Sequence, residues 1–270
     1  LFIGYSFTDN LVMDCLSEIT KHLGDAAPYH YTIMRENKSN PYFNYFIDDL
    51  ERRYHIRVLL VNEYTDIFFV LSELNRRIRN KRVFISGAFR SFDQKIDEYS
   101  HNLARSLTSH LLANDYRIIN GIGRHFGTHI IGYANEYLAK KGIKDKEKHI
   151  IVRPFVGLGE KSLEEKRKLR EEIIGGCGSV IFVFGDYNPQ TPNPNSGVKE
   201  EFEISLKFKK NIIPISYPGM RSELIWSEMK SNLTQYPYLE KSIDLLTSKN
   251  NTEELAKIIV YILDSVQEMK

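Results

Sequence analysis

The apolar run Val180-Ile181-Phe182-Val183-Phe184 ends at Gly185, and a loop rich in proline and asparagine follows it. The chain then reads Asn195-Ser196-Gly197-Val198-Lys199-Glu200-Glu201-Phe202. An unbroken apolar strand has no face left for water, so it belongs in a parallel sheet covered on both sides by helices. The paired acids after Gly197 open an amphipathic segment and mark a helix start. A helix start offers free N–H groups and a partial positive charge, which suit a phosphate. An acid inside that first turn is placed to accept hydrogen bonds from ribose hydroxyls. In open α/β sheets, ligands sit in the crevice beyond the carboxyl ends of the strands. The stretch therefore points to a nucleotide, against a plainer reading in which the acids only complement the helix dipole.

The rest of the chain repeats this strand–helix alternation, which predicts an α/β protein with two Rossmann-like parallel-sheet domains. In residues 1–80, strands are expected at 1–3, 29–34 and 56–61, the last a near-continuous apolar run that reads as buried on both faces. Asp9 or Asn10 is expected to cap a helix carrying Leu11, Cys15, Leu16 and Ile19. A second helix spans 42–53, and a third spans 67–78 with Phe68, Val70, Leu71 and Leu74 turned inward. The basic run from Asn75 to Arg82 is read as the boundary, giving domains 1–80 and 81–270. No initiator methionine precedes Leu1, and the chain opens within a strand, so it is expected to be the carboxyl part of a longer protein.

The second domain begins with a strand at 82–86 that runs into Gly87-Ala88-Phe89-Arg90, where small residues let a ligand approach the backbone. The strand at 116–119 runs into Asn120-Gly121-Ile122-Gly123, with Gly127 beyond, the glycine spacing of a phosphate-cradling turn. A strand at 149–152 ends at Arg153, and Ser162 with Glu165 reads as a capping box for a charged helix carrying Arg170. A helix over 198–210, a strand over 212–216 and a last helix over 252–267 complete the pattern. Trp226, Tyr236 and Tyr238 fall in a less regular stretch.

A net charge of +2 on 270 residues argues against nucleic acid as a partner. No apolar run is long enough to span a bilayer, and no leader peptide is visible. Two cysteines, Cys15 and Cys177, without metal spacing read as buried core thiols in a reducing cytoplasm. No Ser–His–Asp set, acid pair or metal-spaced histidines stand out. Arg153 and Arg170 are candidates to clamp a pyrophosphate, and His125 to contact phosphate or move a proton. The plainer alternatives are a strand-end salt bridge for Arg153, a solvated helix face for Arg170 and a solvent-facing loop position for His125.

From about residue 83 to 216 these motifs resemble the SLOG superfamily, the nucleotide-binding domains related to the Lonely Guy proteins. Ser86-Gly87-Ala88 matches its first loop, and Asn120-Gly121-Ile122-Gly123 its second. The segment from Ser196 to Glu201 is similar to its Gly-Thr-x-x-Glu element, with Lys199 inside it and Glu201 on the glutamate. Val198 replaces the threonine, and Leu169 replaces the first residue of an Arg-Lys pair whose second basic position is Arg170. These departures favour ligand sensing over phosphoribohydrolase catalysis.

Phe2-Ile3-Gly4-Tyr5-Ser6-Phe7-Thr8-Asp9 is similar to an NAD-contacting loop of sirtuin-like domains. That order of domains resembles the ThsA effector family of the bacterial Thoeris anti-phage system. The resemblance implies NAD hydrolysis in the full-length protein, with the catalytic residues upstream of this chain. It also implies activation by a cyclic ADP-ribose isomer from a TIR-domain partner, and a homo-oligomer, specifically a tetramer. The ligand-binding residues expected on these grounds are Gly87, Ala88, Phe89, Asn120, Gly121, Gly123, Arg153, Arg170, Lys199 and Glu201. A Lonely Guy-type phosphoribohydrolase and a non-catalytic nucleotide-binding assembly module are the alternatives.

Overall fold

The computed structural model describes residues 1–90, 93–154, 160–187 and 197–268. The chain forms two compact units, residues 1–75 and 76–270. It is α/β throughout, with two all-parallel sheets.

The first unit contains β1 (Phe2–Ile3), α1 (Asn10–Leu23), β2 (His30–Arg35), α2 (Phe43–Tyr54), β3 (Ile56–Val61) and the start of α3 (Asp66–Asn80). Its sheet has the order β1-β2-β3. Asp9 caps α1, its carboxylate accepting from the N–H groups of Leu11 and Val12. Phe7, Leu16, Leu50 and Ile56 form a small core.

The second unit contains β4 (Arg82–Ser86), α4 (Gln94–Ala113), β5 (Arg117–Asn120), α5 (Phe126–Lys140), β6 (Ile150–Val152), α6 (Glu160–Gly175), β7 (Ser179–Val183), α7 (Gly197–Lys207), β8 (Asn211–Ile215), α8 (Arg221–Ser231) and α9 (Thr252–Glu268). The sheet order is β6-β5-β4-β7-β8. The chain winds outward from β4 through β5 to β6, then crosses back to place β7 on the other side of β4. Neighbouring connections leave β4 and β7 in opposite directions, which opens a crevice at their carboxyl ends. Every residue of β7 and β8 is buried, as strands covered on both faces must be. Leu103, Leu107 and Leu111 of α4 and Leu255, Ile259 and Ile262 of α9 share this core, and none is measurably exposed.

Several expectations change. Phe68 is 72% exposed, Leu71 and Leu74 are also exposed, and α3 holds no buried residue, so its apolar face is not turned into a core. Leu59 and Leu60 of β3 are exposed as well, so this strand is not covered on both faces. Cys15 is exposed on α1, and only Cys177 is a buried thiol. Helix α6 begins at Glu160, which puts Ser162 inside the first turn rather than at the cap. Trp226 lies on α8, whose mixed polar sequence hides its helical period, and its Nε1–H donates to the Ile243 carbonyl at 2.8 Å.

Leu107→Ala should lower the stability of the second unit by about 2–5 kcal/mol, because it empties a fully buried site. Leu206→Ala on the exposed side of α7 should change it by less than about 0.5 kcal/mol. Urea unfolding followed by the fluorescence of Trp226, the single tryptophan, measures both.

Candidate functional site

The crevice between β4 and β7 is a cavity of about 330 Å³. Its wall is built from three strand exits and two helices. Ile85, Ser86, Gly87, Ala88 and Arg90 come from the end of β4 and the turn after it. Ile122, Gly123 and Arg124 come from the turn after β5, and Asp186 from the turn after β7. Lys166 and Arg170 of α6 face Gly197, Val198 and Glu201 of α7.

Backbone proximity explains the glycines. A Cβ on Gly87 would sit 2.7 Å from the Val183 carbonyl oxygen, and one on Gly123 would collide with the Gly87 carbonyl. The left-handed position in the second turn falls on Ile122, at φ 55°, where a β-branched residue is strained. The Asn120 side chain holds it there. Its Oδ1 accepts from the Ile122 N–H at 2.8 Å, while its Nδ2 donates to the Ile85 carbonyl at 3.3 Å. The exits of β4 and β7 are tied together as well. The Gly185 N–H donates to the Ala88 carbonyl at 2.9 Å, and Arg90 pairs with Asp186 at 3.1 Å.

Four cations, Arg90, Arg124, Lys166 and Arg170, line the cavity against two carboxylates, Asp186 and Glu201. A phosphate-bearing ligand suits that excess. Glu201 is buried: Ser86 Oγ donates to its Oε2 at 2.5 Å and Arg170 Nε to its Oε1 at 3.2 Å. Arg170 also forms a close ion pair with Glu200. Burial pushes the Glu201 carboxyl above its ordinary range, and the Arg170 charge and the Ser86 hydrogen bond pull against that. Gly197 leaves room for this clamp, since a Cβ there would lie 2.9 Å from Arg170 Nη2.

Of the residues expected from sequence, Gly87, Ala88, Gly123, Arg170 and Glu201 share this wall. Phe89 is not on it. Its ring is fully buried, stacked on His125 at 5.0 Å and edge-on to Phe184 at 5.2 Å. It props the two turns from behind, and His125 sits at the start of α5 as its stacking partner. Asn120 and Gly121 are buried behind the wall. Arg153 is exposed past β6, away from the lining, and Lys199 points outward to Glu203 at 3.6 Å. Ser196 lies outside the described residues. Sequence reasoning passed over Ser86, Arg90, Arg124, Lys166 and Asp186 as site residues. Lys166 carried a usable signal, being one helical turn before Arg170 on the same face.

The raised proton affinity of Glu201 makes a pH prediction. The folded chain holds this proton more tightly than the unfolded chain, so the residue costs stability as pH rises above about 4.5 and until the folded group has ionised. Thermal unfolding of wild type and Glu201→Gln between pH 4 and 8 should show the variant gaining relative to wild type as pH rises. A pH-independent difference would mean that the carboxyl titrates alike in both states.

Residues 66–266 match the Sir2- and TIR-associating SLOG family. The chain is also similar to proteins named NAD(+) hydrolase ThsA. It is 27% identical to that of Bacillus cereus (strain MSX-D12), over 99% of this chain and 59% of the relative. It is 27% identical to that of Cytobacillus dafuensis, over 97% and 59%, and 28% identical to that of Enterococcus faecium, over 99% and 60%. The chain thus spans about 60% of the length of these curated relatives. With a Rossmann-like sheet, a cavity at its switch point and a family match over most of its length, the chain belongs to the Sir2- and TIR-associating SLOG family.

Proposed function

We propose that the cavity between β4 and β7 binds a pyrophosphate-bearing nucleotide, and that in the whole protein this binding controls cleavage of NAD+. On this reading residues 81–270 are the sensor and residues 1–80 the end of a sirtuin-like NAD-hydrolysing domain. The ligand is a cyclic ADP-ribose isomer supplied by a TIR-domain partner, the assembly is a homo-tetramer in the cytoplasm, and the role is anti-phage defence. One observation carries the proposal. At the switch point of the sheet, glycine turns with no room for a Cβ meet four cations and a buried glutamate. The close backbones suit phosphate oxygens, the cations suit their charge, and Glu201 suits a ribose hydroxyl. The ThsA relatives, named as NAD(+) hydrolases, support the attached activity.

A ligand shifts an assembly only by binding one arrangement more tightly than another. The activator is therefore taken to bind more tightly to the packing in which the NAD-cleaving domains are open. A second reading, phosphoribohydrolase action on a nucleoside monophosphate, draws on the buried Glu201 carboxyl at the cavity wall, whose proton affinity burial raises. Adenine release from AMP would favour it.

Calorimetric titration with the 2′- and 3′-linked cyclic ADP-ribose isomers tests the main reading. One isomer should bind the chain, and Lys166→Ala and Arg124→Ala should each weaken it by roughly tenfold, the worth of a charge-assisted hydrogen bond. Arg170→Ala should abolish both binding and activation of the full-length protein. Its thermal melt is read alongside, because the substitution leaves Glu201 buried without its cation. Failure of both isomers to bind, or unchanged affinity in the Lys166 and Arg124 variants, would contradict the proposal.

A further inference from the structure

Away from the cavity, α4 and α5 bring Asp97, His101 and His129 together, with one ligating atom of each within 4.8 Å of the others. Asp97 and His101 are four residues apart on one face of α4, and His129 meets them from α5. Asp97 Oδ2 lies 3.7 Å from His101 Nε2, and Asp97 Oδ1 lies 3.8 Å from His129 Nε2. The two imidazole rings stack with centroids 3.7 Å apart. The side chains of His129 and Asp97 are 15% and 25% exposed, and that of His101 is 43% exposed.

The remaining ring nitrogens are held by a second layer. Ser100 Oγ donates its one proton to the Asp97 carbonyl at 2.8 Å. With that proton on the carbonyl, Oγ at 2.9 Å from His129 Nδ1 is free to accept from a protonated Nδ1. That tautomer leaves a lone pair on His129 Nε2, aimed at a carboxylate oxygen. His101 Nδ1 is fixed by Tyr133 Oη at 3.0 Å, which turns its Nε2 to the same carboxylate. Tyr133 is in turn held by Arg105, whose Nη2 donates to the phenol oxygen at 3.3 Å. In that tautomer a nitrogen lone pair faces a carboxylate oxygen, an arrangement that a cation between them would satisfy. Imidazoles oriented through their second nitrogen are the usual arrangement at metal ligands.

We propose that Asp97, His101 and His129 form a binding site for a divalent transition-metal ion, with zinc as the best fit. Two imidazole nitrogens and one carboxylate oxygen suit zinc, whereas magnesium and calcium take oxygen donors. Around zinc, bonds of about 2.0–2.2 Å place neighbouring donors roughly 3.4 Å apart. The three donor atoms, now within 4.8 Å of one another, must draw together by up to about 1.4 Å, and the stacked rings must turn so that their nitrogens converge; the half-exposed His101 has room to make that move. The ion would pin the first half of α4 to the first turn of α5.

The test uses the whole chain carrying Cys15→Ser, which removes an exposed competing thiol. Zinc binding is measured by competition with a chromophoric chelator, and cobalt(II) substitution is followed by visible absorption. One equivalent of zinc should bind and raise the melting temperature. His101→Ala, at a half-exposed position that the fold does not need, should weaken binding by at least about tenfold. Asp97→Asn, which keeps the side-chain shape, should do the same. His22→Ala, at an exposed histidine on α1, should change nothing. The proposal is overturned if the chain takes up no zinc, which would leave a histidine–carboxylate contact only. Binding that survives both the His101 and the Asp97 substitution overturns it equally.

Discussion

The backbone at Gly123 runs so close to the Gly87 carbonyl that a single methyl group would not fit between them. The rest of the candidate site depends on that approach. It brings the turn after β5 against the turn after β4, and the Gly185–Ala88 hydrogen bond and the Arg90–Asp186 pair join the turn after β7 to the same place. A parallel sheet that reverses its winding beside its first strand leaves a gap there by topology alone. The glycines decide that the gap is lined by backbone instead of being filled by side chains. Asn120 and Phe89 hold the turns from behind, one through hydrogen bonds and one through ring contacts.

Charge gives this space its character. Arg170 bridges Glu200 and Glu201, so much of its charge is already balanced by protein. Arg124, on the exposed turn after β5, and Lys166, a helical turn from Arg170, add positive charge to the same wall. Glu201 shares a buried network with Ser86 and Arg170, and a half-satisfied network of this kind would be costly. A ligand hydroxyl that enters it must replace a hydrogen bond as good as the one it displaces, which is a source of selectivity.

The second unit was largely legible because its strands are continuous apolar runs and its helices, α8 apart, carry a clear period. Strand Arg82–Ser86 and helix Thr252–Glu268 fall within a residue of expectation. The exposed apolar residues of α3 were not legible, since periodicity marks an apolar face but not whether a partner covers it. In the site, glycine spacing pointed to two of the turns that line the cavity. Gly87 and Gly123 serve close approach, and the positive φ values of the turn after β5 fall on Ile122 and His125. Phe89 and Lys199 do not line the cavity, because adjacency in sequence to a loop or helix start does not say which way a side chain turns. Arg90, Asp186 and Lys166 enter the wall through tertiary pairing and helix orientation, which a single sequence does not display.

Hydrogen–deuterium exchange with and without each of the 2′- and 3′-linked cyclic ADP-ribose isomers tests the central claim, that the switch-point cavity is a nucleotide site, most directly. The account predicts slowed amide exchange in residues 86–90, 121–125 and 197–201, three of the segments that build the cavity wall, with the outer faces of α8 and α9 unchanged. Protection confined to other segments, or none at saturating ligand, would contradict it.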